Sequence, residues 1–169
     1  MKPNAIVFTS NTGYTRQYAV LLGQKTGLPV YALDEAREKL APGNHILHLG
    51  WLMAGKVQGY AQAAKRYHVE AVCGVGMGAT GSQLSEVRKT SRIPEEMPLF
   101  TLQGGFDLQR LHGVYRLMMN IMAKTAGKGL ADKQNRTPEE DDMLDMMLHG
   151  GSRVSEEYLT GVLEWYRKE

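Results

Sequence analysis

The segment Thr9–Thr15 carries the side chains of this sequence that are best suited to bind a phosphate. It reads Thr-Ser-Asn-Thr-Gly-Tyr-Thr, and its glycine, Gly13, can adopt a positive φ. The apolar run before the segment predicts a strand, and the residues after it predict a helix. In open α/β sheets, ligands bind beyond the carboxyl ends of strands, where a helix N-terminus offers unpaired N–H groups. We expect the hydroxyl groups of Ser10, Thr12 and Thr15 to bind a phosphate monoester, with about 1.5–3 kcal/mol for each hydrogen bond.

Two alternative interpretations of this loop are weaker. Serine and threonine are also common N-caps, and capping accounts for one or two of the four Ser/Thr hydroxyl groups but less well for all four. The loop lacks the Gly-Lys-Ser/Thr ending of nucleoside-triphosphate loops. That difference disfavours ATP or GTP hydrolysis.

A second glycine-rich segment, Gly76–Gly81, has the G-x-G-x-x-G spacing of dinucleotide-binding loops. In dinucleotide-binding folds this pattern opens the first βαβ unit, and an acidic residue follows at the end of the next strand. Here the pattern follows the fourth predicted strand, and the nearest acidic residues, Glu95 and Glu96, precede Met97-Pro98. Nicotinamide dinucleotide is therefore the weaker ligand hypothesis.

Methionine, histidine and cysteine show no spacing that predicts a catalytic or metal site. Clustered methionines are usually core residues, although flexible thioethers also suit a quinone, porphyrin or partner site. The histidines form no pair at metal-ligand spacing, so no metal is expected. The single cysteine, Cys73, lies in an apolar run and is predicted to be a buried thiol. The clustered methionines are Met118, Met119, Met122, Met143, Met146 and Met147, and the histidines are His45, His48, His68, His112 and His149.

The pattern of apolar residues predicts strands that alternate with helices. Strands are predicted at Ala5–Phe8, Val30–Leu33, Ile46–Leu49, Val69–Val75 and Leu99–Leu102. The predicted helices contain Tyr14, Tyr18, Leu21 and Leu22; Asp34–Leu40; Val57, Tyr60, Ala61 and Ala64; Gln83–Thr90; and Leu111, Val114, Met118, Ile121 and Met122 on one face. This alternation predicts an α/β fold, a doubly wound five-stranded parallel sheet with helices on both faces. The chain length favours the strand order 2-1-3-4-5 over a six-stranded dinucleotide fold.

A helical extension is predicted at about residues 137–169, after a polar linker at 127–136. Thr137-Pro138-Glu139-Glu140 has the N-cap, N1 proline and N3 glutamate of a capping box, and the helix that it begins runs toward Gly150-Gly151. Ser155 is the predicted N-cap of a last helix, which should dock on the body through one apolar face. The residues of that face are Tyr158, Leu159, Val162, Leu163 and Tyr166.

Length and composition limit the classes of protein that fit. A chain of 169 residues suits one domain, and 43% hydrophobic with 22% charged residues is typical of a soluble globular protein. No apolar stretch approaches the roughly 20 residues of a membrane span, and no signal peptide is evident, so a cytoplasmic location without an integral membrane segment is expected. The net charge is +2, from 20 basic and 18 acidic residues. Because no basic stripe occurs, nucleic acid is not an expected partner.

Two parts of the sequence resemble a known family. The loop Ser10-x-Thr12-Gly13-x-Thr15 after a first strand resembles the phosphate-binding loop of flavodoxins. The stretch from Thr101 to Tyr166 is similar to flavodoxin-domain proteins related to bacterial menaquinone-dependent protoporphyrinogen oxidases. The segments that carry this second resemblance are Thr101–Asp107, the methionine-rich helix, Arg136–Glu140, Gly150-Gly151 and Leu163–Tyr166. The resemblance implies a single flavodoxin-like domain over residues 1–169, with FMN bound through Ser10, Asn11, Thr12, Gly13, Tyr14 and Thr15.

The resemblance also implies that the flavin ring lies against the loops after the third and fourth strands. Trp51 would stack on the ring, the alternative being a partly buried core tryptophan. Met77 would cover the other side of the ring. The usual aromatic pair is not evident, because the segment Gly76–Gly81 has no Tyr or Trp. The implied ring-binding residues are Gly50, Trp51, Leu52, Met53 and Ala54 in one loop and Gly76, Met77, Gly78 and Ala79 in the other.

The leading functional hypothesis is an FMN-binding protein that acts in electron transfer with a redox partner protein or a quinone-like small molecule. In such a protein the cofactor supplies the chemistry and no catalytic side chain is needed. One alternative is an FMN-dependent oxidoreductase of the protoporphyrinogen oxidase type, and another is a phospholigand-binding module without a redox role. Flavodoxins are typically acidic, whereas the pI here is about 8.6, which predicts a less negative reduction potential.

Overall fold

A computed structural model describes residues 1–111 and 113–169 of the chain, so that His112 lies outside the described residues. The strands are β1 (Ala5–Thr9), β2 (Val30–Ala32), β3 (His45–Met53), β4 (Lys56–Val57), β5 (His68–Gly76), β6 (Leu99–Gln103), β7 (Gly105–Phe106) and β8 (Gly151–Ser152). The helices are α1 (Tyr14–Thr26), α2 (Leu33–Lys39), α3 (Tyr60–Ala64), α4 (Leu84–Ser91), α5 (Gly113–Asp132), α6 (Pro138–His149) and α7 (Thr160–Lys168), with a 3₁₀ turn at Glu156–Leu159.

The main sheet contains five parallel strands in the order β2-β1-β3-β5-β6. When the short antiparallel strand β4 is left out, this is the order 2-1-3-4-5, so the predicted doubly wound fold is confirmed. The chain places β2 on one side of β1 and β3 on the other. The point where the winding reverses therefore lies between the carboxyl ends of β1 and β3, where ligands bind in such folds.

Alternating side chains of the strands form apolar cores on both faces of the sheet. On one face, Ile6, Leu49 and Cys73 pack with α1 and with the C-terminal residues Leu159 and Val162. All five side chains are at most 1% exposed. The predicted docking of the last helix and the predicted burial of the cysteine are both confirmed, and burial raises the pKa of the Cys73 thiol.

β3 is longer than predicted, because the segment from Gly50 to Met53 continues the strand instead of forming a loop. The chain turns at Ala54-Gly55 and returns as β4, where Val57 pairs with Leu52. Val57 was expected in a helix, but α3 begins only at Tyr60. The hairpin fits because Gly50 has no side chain, since a Cβ there would collide with the Gln58 carbonyl oxygen.

The helix α5 continues to Asp132, across most of the predicted linker at 127–136. Gly127 is the buried residue of this helix, and a Cβ there would lie 3.9 Å from the Met147 sulfur of α6. The contact with α6 thus stabilises helical structure that the glycines at 127 and 129 disfavour locally. The predicted capping box of α6 is confirmed, with Thr137 and Glu140 bonded reciprocally.

Across residues 1–111 and 113–169, no helix combines the length and the apolar composition that a membrane span requires.

Candidate functional site

The loop after β1 leaves the N-terminus of α1 open. Gly13 adopts a φ of 98° at the N-cap, and its N–H donates to the Ser10 hydroxyl oxygen over 3.2 Å. Among the described residues, no side chain caps α1, and its first turn contains no acidic residue. The hydroxyl groups therefore do not serve as a helix cap, and the first-turn N–H groups can bind an anion.

A cavity of about 740 Å³ adjoins this loop. Its lining includes two cationic residues, Arg16 and Arg110, and one acidic residue, Glu35. Arg110 Nε lies 3.2 Å from the Asp107 carboxylate, which holds it beside the cavity. The remaining lining residues are Phe8, Ser10, Asn11, Thr12, Gly13, Ala32 and Gln109. The polar loop and the two cations suit a phosphate group.

A second cavity, of about 320 Å³, shares Thr12 with the first. Its lining is largely apolar and comes from three strand ends, from the first turns of α1 and α4, and from α5 and α6. It also includes the polar residues Gln83, Glu86 and Asp107. The predicted residues that line it are Tyr14, Thr15, Trp51, Leu52, Met53, Ala54, Gly76, Met77 and Gly78. The fold thus places a polar cavity beside an apolar one at the carboxyl ends of β1, β3 and β5.

Two residues that were implied to bind the flavin ring do not line either cavity. Gly50 lies inside β3 against the backbone of Gln58. Ala79 forms a turn in which its carbonyl oxygen accepts bonds from the N–H and hydroxyl groups of Ser82, at 3.0 and 2.5 Å. Both residues shape the backbone near the site rather than its surface.

Trp51 packs against an aromatic side chain that sequence reasoning missed. Tyr115 of α5 meets it edge to face, with ring centroids 5.3 Å apart and planes at 87°. No local pattern links the two positions, because the tertiary packing of α5 brings them together. This contact restrains the indole at the edge of the apolar cavity.

Tyr14 lines the apolar cavity and is 6% exposed. Burial raises the pKa of its phenol, and the Asp107 carboxylate raises the pKa further. The phenol is therefore a neutral hydrogen-bond donor over the physiological pH range.

Gln103 holds the loop after β5 in place. Its amide Nε2 donates to the Met77 carbonyl oxygen over 3.2 Å and to Asp142 over 2.8 Å. Its backbone N–H donates to the Thr80 hydroxyl oxygen over 2.9 Å. Asp142 also accepts a bond from Arg153 Nε over 2.9 Å. The only sign in the sequence that Gln103 positions this loop is that it is a polar residue at the end of the apolar strand β6.

The clustered methionines divide between cavity, core and surface. Met119, Met122, Met143 and Met147 line the apolar cavity. Met146 is fully buried, while Met118 is 41% exposed. The core interpretation of this cluster is therefore right for Met146 and wrong for Met118.

The segment Gly76–Gly81 has the spacing of a dinucleotide-binding loop but lacks the close helix–strand packing of such a loop. Its third glycine, Gly81, has a φ of 82°, and a Cβ there would meet nothing within 4 Å. In dinucleotide-binding loops that glycine allows close contact between helix and strand. The segment Gly76–Gly81 therefore fits a cavity wall better than a pyrophosphate loop.

Within residues 1–111 and 113–169, no three or more His, Cys, Asp or Glu side chains are arranged to hold a metal ion. Comparison with protein-family models, curated proteins and solved structures found no match.

Proposed function

We propose that this protein binds FMN and transfers electrons through it. The observation that carries this proposal is the junction of two cavities at Thr12, one polar and lined by two arginines at the open N-terminus of α1 and one largely apolar. FMN has the same division, with a phosphate at one end and a flat aromatic ring at the other. The site also lies at the reversal point of the sheet, where doubly wound folds bind nucleotides.

The phosphate group would bind in the first cavity. The first-turn N–H groups of α1 and the hydroxyl groups of Ser10 and Thr12 would donate to its oxygens, and Arg16 and Arg110 would compensate its charge. Hydrogen bonds to a charged acceptor contribute about 1.5–3 kcal/mol each. A few such bonds favour FMN strongly over riboflavin, which has no phosphate.

The flavin ring would bind in the second cavity, between the side chains that follow β3 and β5. Trp51 and Met77 both line this cavity, and a polarisable aromatic face and a thioether both suit contact with a flat ring. Apolar walls limit the access of water to the ring. The bound flavin supplies the electron-transfer chemistry, while the protein supplies binding and orientation.

The methionine wall favours a second candidate function, the FMN-dependent oxidation of an apolar substrate of the protoporphyrinogen oxidase type. Met119, Met122, Met143 and Met147 form an adaptable apolar surface beside the proposed ring position. Rapid oxidation of the reduced protein by a quinone, or rapid reduction of the oxidised protein by a porphyrinogen, would support this candidate over a protein-to-protein electron carrier.

The test is a titration of FMN into the apo-protein, followed by quenching of flavin fluorescence. We expect saturable binding, with the Gly13→Ala variant about tenfold weaker. A left-handed backbone costs alanine about 1–2 kcal/mol, so the loop of the variant relaxes to another conformation, and FMN must restore the binding conformation at that cost. Gly27→Ala is the matched control. Gly27 ends the same helix with a φ of 76° and open space around its Cα, so its substitution should reduce stability without weakening FMN binding.

Three outcomes would count against the proposal. Equal affinity for riboflavin and FMN would show that the protein makes no favourable contact with the phosphate group. If Gly13→Ala and Gly27→Ala weaken FMN binding equally, the weaker binding would reflect the lower stability of the protein and not a role of the phosphate loop. Binding of inorganic phosphate without any flavin binding would favour a phospholigand module with no redox role.

A further inference from the structure

The polar cavity beside the loop after β1 is larger than a phosphate group requires. Its volume is about 740 Å³, against about 320 Å³ for the apolar cavity. Pockets that bind a whole small ligand have volumes of about 300–1,000 Å³. The lining continues from the loop past the end of β2, where Ala32 and Glu35 contribute to it. The cavity therefore has room for a further part of a ligand on the β2 side of the loop.

Glu35 has the wrong charge for a cavity that binds a phosphate group alone. It lies in the first turn of α2 and makes no ion pair within residues 1–111 and 113–169. A carboxylate repels a phosphate, but it accepts hydrogen bonds from hydroxyl groups. Glu35 therefore indicates a ligand that brings sugar hydroxyl groups into this cavity together with its phosphate.

The strand order shows that these hydroxyl groups are not those of the FMN ribityl chain. β1 lies between β2 and β3. The apolar cavity proposed for the ring lies at the ends of β3 and β5, the phosphate loop follows β1, and Glu35 follows β2. The ribityl chain would run from the phosphate toward the ring, away from Glu35. A sugar at Glu35 must therefore be attached on the far side of the phosphate.

Glu35 also has the position of the acidic residue in dinucleotide-binding folds. In those folds an Asp or Glu near the end of the second strand, about 20 residues after the phosphate loop, accepts a hydrogen bond from a ribose hydroxyl group. Glu35 follows Gly13 at a similar separation and lies just past β2. The loop after β1, rather than the segment Gly76–Gly81, thus has the acidic partner that a dinucleotide site requires.

We propose that the polar cavity binds a nucleoside diphosphate group, so that the site takes FAD. The pyrophosphate would lie at the open N-terminus of α1 beside Arg16 and Arg110, and the ribose hydroxyl groups would donate to the Glu35 carboxylate. FAD is FMN joined through its phosphate to AMP, so one molecule would occupy both cavities. The flavin half of this inference rests on the proposed function, whereas the nucleotide half can be tested without flavin.

The first test is a calorimetric titration of ADP and of 2′,3′-dideoxy-ADP into the apo-protein. We expect ADP to bind about tenfold more tightly, because only ADP has the hydroxyl groups that bond to a charged acceptor. Glu35→Ala should make the two affinities equal. The matched control is Glu38→Ala, which removes the same charge from an exposed position of the same helix that does not line the cavity. It should leave the preference for ADP unchanged.

The second test compares FAD with FMN, with binding followed by the absorbance of the flavin. We expect FAD to bind about tenfold more tightly than FMN, from the same hydrogen bonds. Glu35→Ala should remove this advantage without weakening FMN, because FMN has no group that reaches Glu35. Glu38→Ala should change neither affinity.

The outcomes separate this inference from the proposed function. If FMN binds but FAD binds no more tightly, and ADP binds no more tightly than its dideoxy analogue, the inference is wrong and the FMN site remains. A preference for ADP that Glu38→Ala abolishes as well would also overturn it, because the general charge of α2 would then be the cause. A preference for ADP that depends on Glu35, in a protein that binds no flavin, would support the nucleoside diphosphate site and overturn the flavin proposal.

Discussion

At the residue scale, His48 is a fully buried ionisable group of the sheet. It lies in β3 with no exposed surface, and its Nε2 donates to the Gln58 carbonyl oxygen over 3.2 Å. Its Nδ1 has no hydrogen-bond partner among the described residues, nor has the Thr9 hydroxyl. Burial lowers the pKa of His48 from 6.5 to about 4, although its backbone hydrogen bond raises the pKa. The ring is therefore neutral in the folded protein at neutral pH.

This pKa predicts an acid-sensitive fold. Between about pH 6.5 and pH 4 the unfolded chain binds a proton at His48 that the folded chain does not bind, so the free energy of unfolding falls as the pH falls. From about pH 7 to about pH 5 the loss is roughly 2 kcal/mol. Urea unfolding at these pH values should show a smaller loss for His48→Gln than for the unchanged protein.

A control for this prediction is His68→Gln, which alters an exposed histidine at the start of β5. It should keep the full acid sensitivity of the unchanged protein. If His48→Gln loses as much stability between the two pH values as the unchanged protein, His48 is not the group that titrates.

The residues of the candidate site differ in how far the sequence could identify them. The segment Ser10–Gly13 could be predicted, because its hydroxyl groups and its glycine lie together between a strand and a helix. Tyr115 and Gln103 could not be assigned their contacts, because packing of α5 on Trp51 and of α6 on the end of β6 brings their partners close. Local spacing carries information about local bonds only.

At the element scale, the capping box of α6 fixes where that helix begins. The Glu140 N–H donates to the Thr137 hydroxyl oxygen over 3.2 Å, and the Thr137 N–H donates to the Glu140 carboxylate over 3.0 Å. Thr137→Ala should lower the free energy of unfolding by about 1 kcal/mol, since it removes the cap. The substitution leaves the Glu140 N–H without its acceptor, so amide hydrogen exchange should accelerate in the first turn of α6. The same helix carries Met143 and Met147 of the cavity.

The matched control is Thr125→Ala on α5. The Thr125 hydroxyl donates to the Ile121 carbonyl oxygen of its own helix and caps nothing. Alanine has the higher helix propensity, so this change should leave stability unchanged or raise it slightly. Equal destabilisation by the two substitutions would show that loss of a threonine, rather than loss of the cap, causes the effect.

The elements that the sequence predicted are those whose signals are local. The five parallel strands and the start of α6 follow from short apolar runs and from a capping pattern. The extension of β3 to Met53 depends on pairing with β4 across the turn at Ala54-Gly55. The continuation of α5 beyond Gly127 depends on contact with α6. A glycine ends an element by local propensity, and in both places tertiary contacts outweigh it.

At the scale of the whole molecule, charge is nearly balanced, with 20 basic and 18 acidic residues. The linings of the two cavities contain two cations, Arg16 and Arg110, and three carboxylates, Glu35, Glu86 and Asp107. This local excess of one negative charge is small, and the chain as a whole has a net charge of +2. An acidic protein disfavours the addition of a second electron to a bound flavin, because that electron adds negative charge near other negative charges. A balanced protein opposes this step less.

The proposed FMN complex should therefore have a second one-electron reduction potential less negative than that of an acidic flavodoxin measured beside it. Anaerobic reductive titration, followed by the absorbance of the semiquinone and of the fully reduced flavin, measures this potential. Arg110→Gln removes one cation near the phosphate cavity and should shift the potential to a more negative value, more so at low salt, where screening is weak. A second potential as negative as that of the acidic flavodoxin, or one that does not change in Arg110→Gln, would mean that local contacts of the ring outweigh the charge of the molecule.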